Sequence, residues 1–145
     1  MSSFLKIAAV VSLFAFAPKA DTPLKKTWQD LSDVEFNREF VPSEKNYFYI
    51  PKFGKSVLAL NGKTVQLSGY FIPFNEELAV ISASPMASCF FCGAAGPETM
   101  AEIQFVKKPK RYKTDQRLTI RGTFRTNKDD FNHLNYILKN AEVVE

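Results

Sequence analysis

The chain has 145 residues, 46% hydrophobic and 23% charged, with 14 Phe, 5 Tyr and 1 Trp. That is enough apolar matter for one core and too little chain for two domains and a linker, and it excludes disordered, collagen-like and disulfide-dense classes. The formal charge of +4 falls to +2 without residues 1–20, which carry Lys6, Lys19 and no acid, so charge gives no argument for a nucleic-acid partner.

Met1 to Lys6 carries one positive charge, and the run from Ile7 to Ala17 (IAAVVSLFAFA) is unbroken apolar or small. Such a segment reads as a secretory signal over 1–20, too short to span a bilayer. Small residues at Ala15 and Ala17 suit cleavage after Ala17, and cleavage after Ala20 avoids Pro18 directly following the cut. No Cys lies near the end of the run and no second stretch approaches the roughly 20 residues of a membrane helix. The expectation is a soluble exported protein, periplasmic or extracellular, that does not span the membrane. Outside the cytosol, a two-cysteine chain can keep a disulfide.

Residues 21–46 read as a polar N-terminal arm, with Thr27 as N-cap of a short helical stretch at Trp28–Leu31, and Trp28, Val34 and Phe36 as the residues that pack it. The texture changes near Tyr47, where a β-rich run leads to Pro51, Gly54 and a short apolar turn at Ser56–Leu60, so 47–145 is expected to form the main domain. Residues 62–73 alternate apolar and polar at period two, and residues 116–124 repeat the pattern. Between them lie the strand-like segments 77–82 and 100–106, and residues 134–144 close the chain. Gly69 and Gly122, inside two of the five strands, argue for bends or bulges that curl a sheet. The expected fold is all-β, a small OB-like Greek-key barrel with short helical turns, with an irregular β-sandwich as its rival. Asn127 to Phe131 reads as a capped helical turn before the last strand.

The most informative stretch is the loop at 84–99, inserted between two strands. Cys89 and Cys92 are spaced so that one tight turn presents both sulfurs to one point, with Gly93 and Gly96 letting the backbone close around them. A closed four-ligand zinc site needs more Cys and His than two Cys and one His supply. Three readings therefore stand side by side. Cys89 and Cys92 coordinate a metal, completed by Met86, Glu98, His133, a partner protein or a second copy of the chain in a homodimer. A thioether beside two thiolates suits copper(I), whereas zinc prefers the imidazole. Alternatively, the pair forms a disulfide, either a redox couple or a staple in a structural adaptor, although strands around a Gly- and Pro-rich loop do not match the thioredoxin context. Finally, both thiols can be inert small hydrophobes.

No G-x-S-x-G elbow, phosphate loop, paired-His helix or haem motif occurs, so no enzyme activity is legible. The basic run Lys107–Lys113 reads as a solvated hairpin tip that discourages edge pairing. OB barrels bind single strands through such loops, but export argues against nucleic acid here.

With Gly69-Tyr70-Phe71-Ile72-Pro73 followed by Ser88-Cys89-Phe90-Phe91-Cys92-Gly93-Ala94-Ala95-Gly96-Pro97-Glu98, the chain resembles a group of small exported bacterial proteins of unknown function. In these a G-[YF]-x-[IV]-P strand precedes a cysteine-containing, proline-ended loop. The likeness spans about residues 27–144. Some such proteins are encoded beside transporter components, including ones linked to zinc uptake. The resemblance thus implies an accessory role in metal handling or transport, with an envelope protein or transporter component as partner. Many members have a single Cys followed by prolines, so the resemblance carries over Cys89 but not a full ligand set.

Overall fold

Alternation at period two dictates the first long strand of the structure, a computed structural model describing residues 22–74, 78–86, 96–107 and 110–144. The expected signal segment lies outside these residues. In β4 (Thr64–Pro73), Val65, Leu67, Gly69 and Phe71 are buried while Thr64, Gln66, Ser68 and Tyr70 face partly outward. The same rule shapes β7 (Arg117–Thr126), with Leu118, Ile120, Gly122 and Phe124 inside. β5 (Ala79–Ser82), β6 (Met100–Phe105) and β8 (Tyr136–Val143) supply Ile81, Ile103, Tyr136 and Leu138 to the same core.

Pairing closes these five strands into a barrel. β4 is antiparallel to β7 over residues 64–70 and to β5 over 70–73. β5 and β6 are antiparallel, β6 and β8 parallel, and β8 and β7 antiparallel. The order β4-β5-β6-β8-β7 returns to β4, which is the OB-like Greek-key barrel expected from the alternation and the internal glycines. Both glycines sit at close approaches. A Cβ on Gly69 would lie 2.5 Å from the carbonyl oxygen of Ser82, where β4 changes partner. A Cβ on Gly122 would lie 3.0 Å from that of Lys139. Opposite Gly122, the register steps from Arg121↔Glu142 to Thr123↔Lys139, a bulge that places Asn140 at φ +50°.

The segment before the barrel is tied down in three places. β1 (Leu24–Lys26) adds to β4 in parallel. A 3₁₀ turn at Trp28–Leu31 follows, capped as expected by Thr27, whose N–H and hydroxyl donate to the Asp30 carboxylate at 2.7 and 2.8 Å. Trp28 Nε1 donates to the Ser68 carbonyl at 2.9 Å, as befits the residue that docks the arm. The deepest anchor, Leu31, is 1% exposed, whereas Val34 and Phe36 are only half-buried. They open β2 (Val34–Val41), which pairs with β3 (Asn46–Phe53) in a ribbon separate from the barrel. A short helix, α1 (Lys55–Leu58), then delivers Val57 into the core, and the turn after it adds Leu60.

Two local expectations are corrected. The hairpin expected around the basic run is not made, because β6 and β7 do not pair, and Tyr112 lies edge-on to Phe71 with ring centroids 5.6 Å apart. Residues 127–131 form no helical turn. Asn127 instead accepts from the Asp130 N–H and donates to the carbonyls of Asp130, His133 and Leu134, so one side chain organises the whole turn. Among the described residues no helix is long and apolar enough to cross a membrane.

Candidate functional site

The loop between β5 and β6 leaves and re-enters the barrel through a short hydrogen-bonded neck. Ala83 N–H donates to the Thr99 carbonyl at 2.9 Å, and Ser84 N–H to the Ser82 hydroxyl at 3.3 Å. On the outgoing side, Met86 N–H donates to Asp115 at 2.6 Å, which ties the loop to the segment entering β7. On the returning side, Gly96 caps a 3₁₀ turn at Pro97–Thr99, and the Thr99 hydroxyl donates back to the Gly96 carbonyl at 2.7 Å. Gly96 has φ −79°, an ordinary backbone region, so its conformation does not by itself demand glycine.

Of the expected site residues, Met86 stands exposed at the neck, with 42% of its surface accessible. Cys89, Cys92 and Gly93 lie outside the described residues. Glu98, half-buried on the returning turn, is close enough to act electrostatically on Tyr136. The Tyr136 hydroxyl donates to the Leu31 carbonyl at 2.7 Å. Burial, and then the charges of Glu98 and Asp33, push this phenol well above its ordinary value of 10.0.

His133 belongs to a different constellation. Its Nδ1 lies 2.9 and 3.0 Å from the two carboxylate oxygens of Glu102. Glu102 projects from the outer face of β6 yet is only 2% exposed, because the turn between β7 and β8 folds over it. Leu134 N–H at 3.2 Å and Gln104 Nε2 at 2.8 Å complete its donors. A buried carboxylate gripping Nδ1 fixes the ring and leaves Nε2 as its outward atom. That atom is 3.9 Å from Asp130 Oδ2, beyond hydrogen-bond reach, and His133 lines a cavity of about 310 Å³ on β6, β7 and β8. No described residue of the cysteine loop lines this cavity. Among the described residues no three His, Cys, Asp or Glu side chains gather in a metal-holding group.

Sequence reasoning missed Glu102. Its place at an alternate position of β6 marks it as outward-facing, but the turn that buries it comes 31 residues later.

No family model matches the chain, and no curated protein matches it. Among solved structures, it is similar to the crystal structure of a DUF3299 family protein from Pseudomonas aeruginosa PAO1, with a TM-score of 0.55 and 14% identity over 86% of this chain and 97% of that one. The likeness is one of fold, to a small β-barrel protein of a family without a defined function.

Proposed function

We propose that this chain is an exported β-barrel binding module that coordinates a soft or borderline metal, copper(I) or zinc, through Cys89 and Cys92. It acts as an accessory in envelope metal handling or transport, sharing the metal with a partner protein or a second copy of the chain. The observation that supports this reading is the hydrogen-bonded neck formed by the residues that flank the Cys-x-x-Cys-Gly segment in sequence. Ala83 to Thr99 and Met86 to Asp115 fasten both ends of the loop to the barrel, so its ordering cost is met partly by the fold rather than by the ligand. Met86 is exposed three residues before Cys89, and its thioether completes a soft donor set. His133, engaged with Glu102 at a separate cavity, is the less suitable third ligand.

The test is native mass spectrometry of the mature protein from the cell envelope, with thiol exchange blocked. The expected result is a bound metal, lost in the C89S/C92S variant and weakened in Met86→Leu. A metal-free mass two hydrogens light indicates a disulfide and overturns the reading in favour of a thiol–disulfide protein or a stapled adaptor. The same mass spectrum locates the cleavage site after Ala17 or Ala20.

A further inference from the structure

We propose that the outer face of β6, β7 and β8 carries a second site, independent of the cysteine loop, that binds a small oxyanionic group, a phosphate or a carboxylate. Its cationic side chains are Arg125 and Lys139, with the His133 imidazole beside them. These come from three elements, β7, β8 and the turn between them, and line one cavity of about 310 Å³, enough room for such a group with some of its water.

Charge bookkeeping at this cavity favours an anion. Arg125 pairs with Ile137 and Thr123 with Lys139 in the β7–β8 register, so Arg125 and Lys139 are diagonal neighbours on one sheet face. Like charges so placed repel. Among the described residues no carboxylate forms an ion pair with either. Of the two acids nearby, Glu102 is buried beneath the turn and already accepts from His133, Leu134 and Gln104. Asp130 is the one carboxylate among the described lining residues, and its Oδ1 is occupied by the N–H and Nδ2 of Asn132 at 3.0 and 3.2 Å. Among the described lining residues, the two fixed cations Arg125 and Lys139 thus stand against the single carboxylate of Asp130.

The geometry also suits an oxyanion. Glu102 holds Nδ1 of His133, whose ring lines the cavity and keeps Nε2 as the nitrogen that Glu102 does not engage. The Arg125 guanidinium offers a planar fork matched to two oxygens, and the Lys139 ammonium adds a point charge. Thr126 lines the same cavity and supplies a neutral hydroxyl. A divalent cation meets the opposite situation, with two fixed positive charges beside it.

The test titrates inorganic phosphate, and in a parallel arm acetate, into the mature chain at constant ionic strength. It follows the His133 imidazole and the backbone amides of Thr126, Asn127 and Lys139 by NMR. The expected result is a saturable response confined to these signals, at least about tenfold weaker in R125Q/K139Q and unchanged in C89S/C92S, so that failure of the cysteine reading leaves this one standing. Both substituted cations lie on the outer face of the barrel, and the remaining amide spectrum reports whether the fold is kept. If the double variant misfolds, Lys139→Gln alone, expected to bind about threefold more weakly, decides the matter. Saturation by acetate but not phosphate assigns the site to carboxylates, and the reverse assigns it to phosphate. No saturable response to either anion, equal affinity in the Arg125 and Lys139 variants, loss in C89S/C92S, or a response to Zn²⁺ alone overturns the proposal.

Discussion

Tyr136→Phe removes one oxygen atom and tests how the N-terminal segment is held to the barrel. Tyr136 is fully buried, with its ring centroid 5.8 Å from Phe53 and 5.3 Å from Phe124. Phenylalanine preserves those ring contacts and opens almost no cavity. What disappears is the 2.7 Å bond to the Leu31 carbonyl, which leaves that acceptor in the core without its donor. An orphaned buried acceptor costs about 1–3 kcal/mol, so a loss of about 2 kcal/mol is expected. For a domain of this size 1 kcal/mol moves Tm by roughly 4 °C, giving a fall of about 8 °C in calorimetry or thermal circular dichroism. The pH dependence adds a second signature. The folded phenol titrates above its ordinary value of 10.0, because burial and then Glu98 and Asp33 oppose the phenolate. The unfolded chain therefore releases this proton first. The contribution of Tyr136 is complete below the unfolded value and is lost as pH rises above it towards the folded one. The gap between the wild type and Tyr136→Phe should thus be constant near neutrality and narrow above pH 10. A variant within about 0.5 kcal/mol of the wild type at pH 7, or a gap that widens in alkali, would refute this account of the anchor.

Gly69→Ala should destabilise more than Gly122→Ala, by about 2–3 kcal/mol against about 1, because its Cβ meets the Ser82 backbone at 2.5 Å rather than Lys139 at 3.0 Å. Urea midpoints rank the two, and equal midpoints would contradict the close-approach argument. In acid, Thr27 holds the Asp30 carboxyl below its ordinary value of 3.8, through its N–H and then its hydroxyl, and the Ser56 hydroxyl and N–H do the same for Asp33. Both contributions are present above that value and vanish as pH falls through the lowered ones. Asp30→Asn and Asp33→Asn should therefore be less stable than the wild type at pH 7 and converge with it at the acid extreme, as chemical denaturation at each pH measures.

How far the molecule can be read without its structure depends on the range of the interaction involved. The five barrel strands, the capping of Trp28–Leu31 by Thr27 and the inward bends at Gly69 and Gly122 follow from short-range rules: alternation, a side chain reaching three residues ahead, a missing Cβ. The pairing of the strands around the basic run and the turn at 127–131 escape those rules, because both depend on partners farther along the chain. A basic run between two strands looks like a hairpin until the order β6-β8-β7 separates those strands. The Asn-Lys-Asp-Asp run looks helical until Asn127 turns its amide to the carbonyls of the loop that follows.

The candidate sites divide along the same line. Cys89, Cys92 and Gly93 stand out through spacing alone, since two thiols with two residues between them suit a shared ion or a disulfide. The period-two pattern likewise determines which faces are apolar, and so determines an all-β fold. Only the tertiary structure decided that Leu31 is an anchor, that Glu102 is buried, that His133 is held by it, and that Arg125 and Lys139 share a cavity with His133. Each of those facts joins positions that barrel closure brings together from distant parts of the chain. A local pattern records what a residue can do with its neighbours in sequence, whereas its partners across the barrel follow from closure, which no segment determines alone.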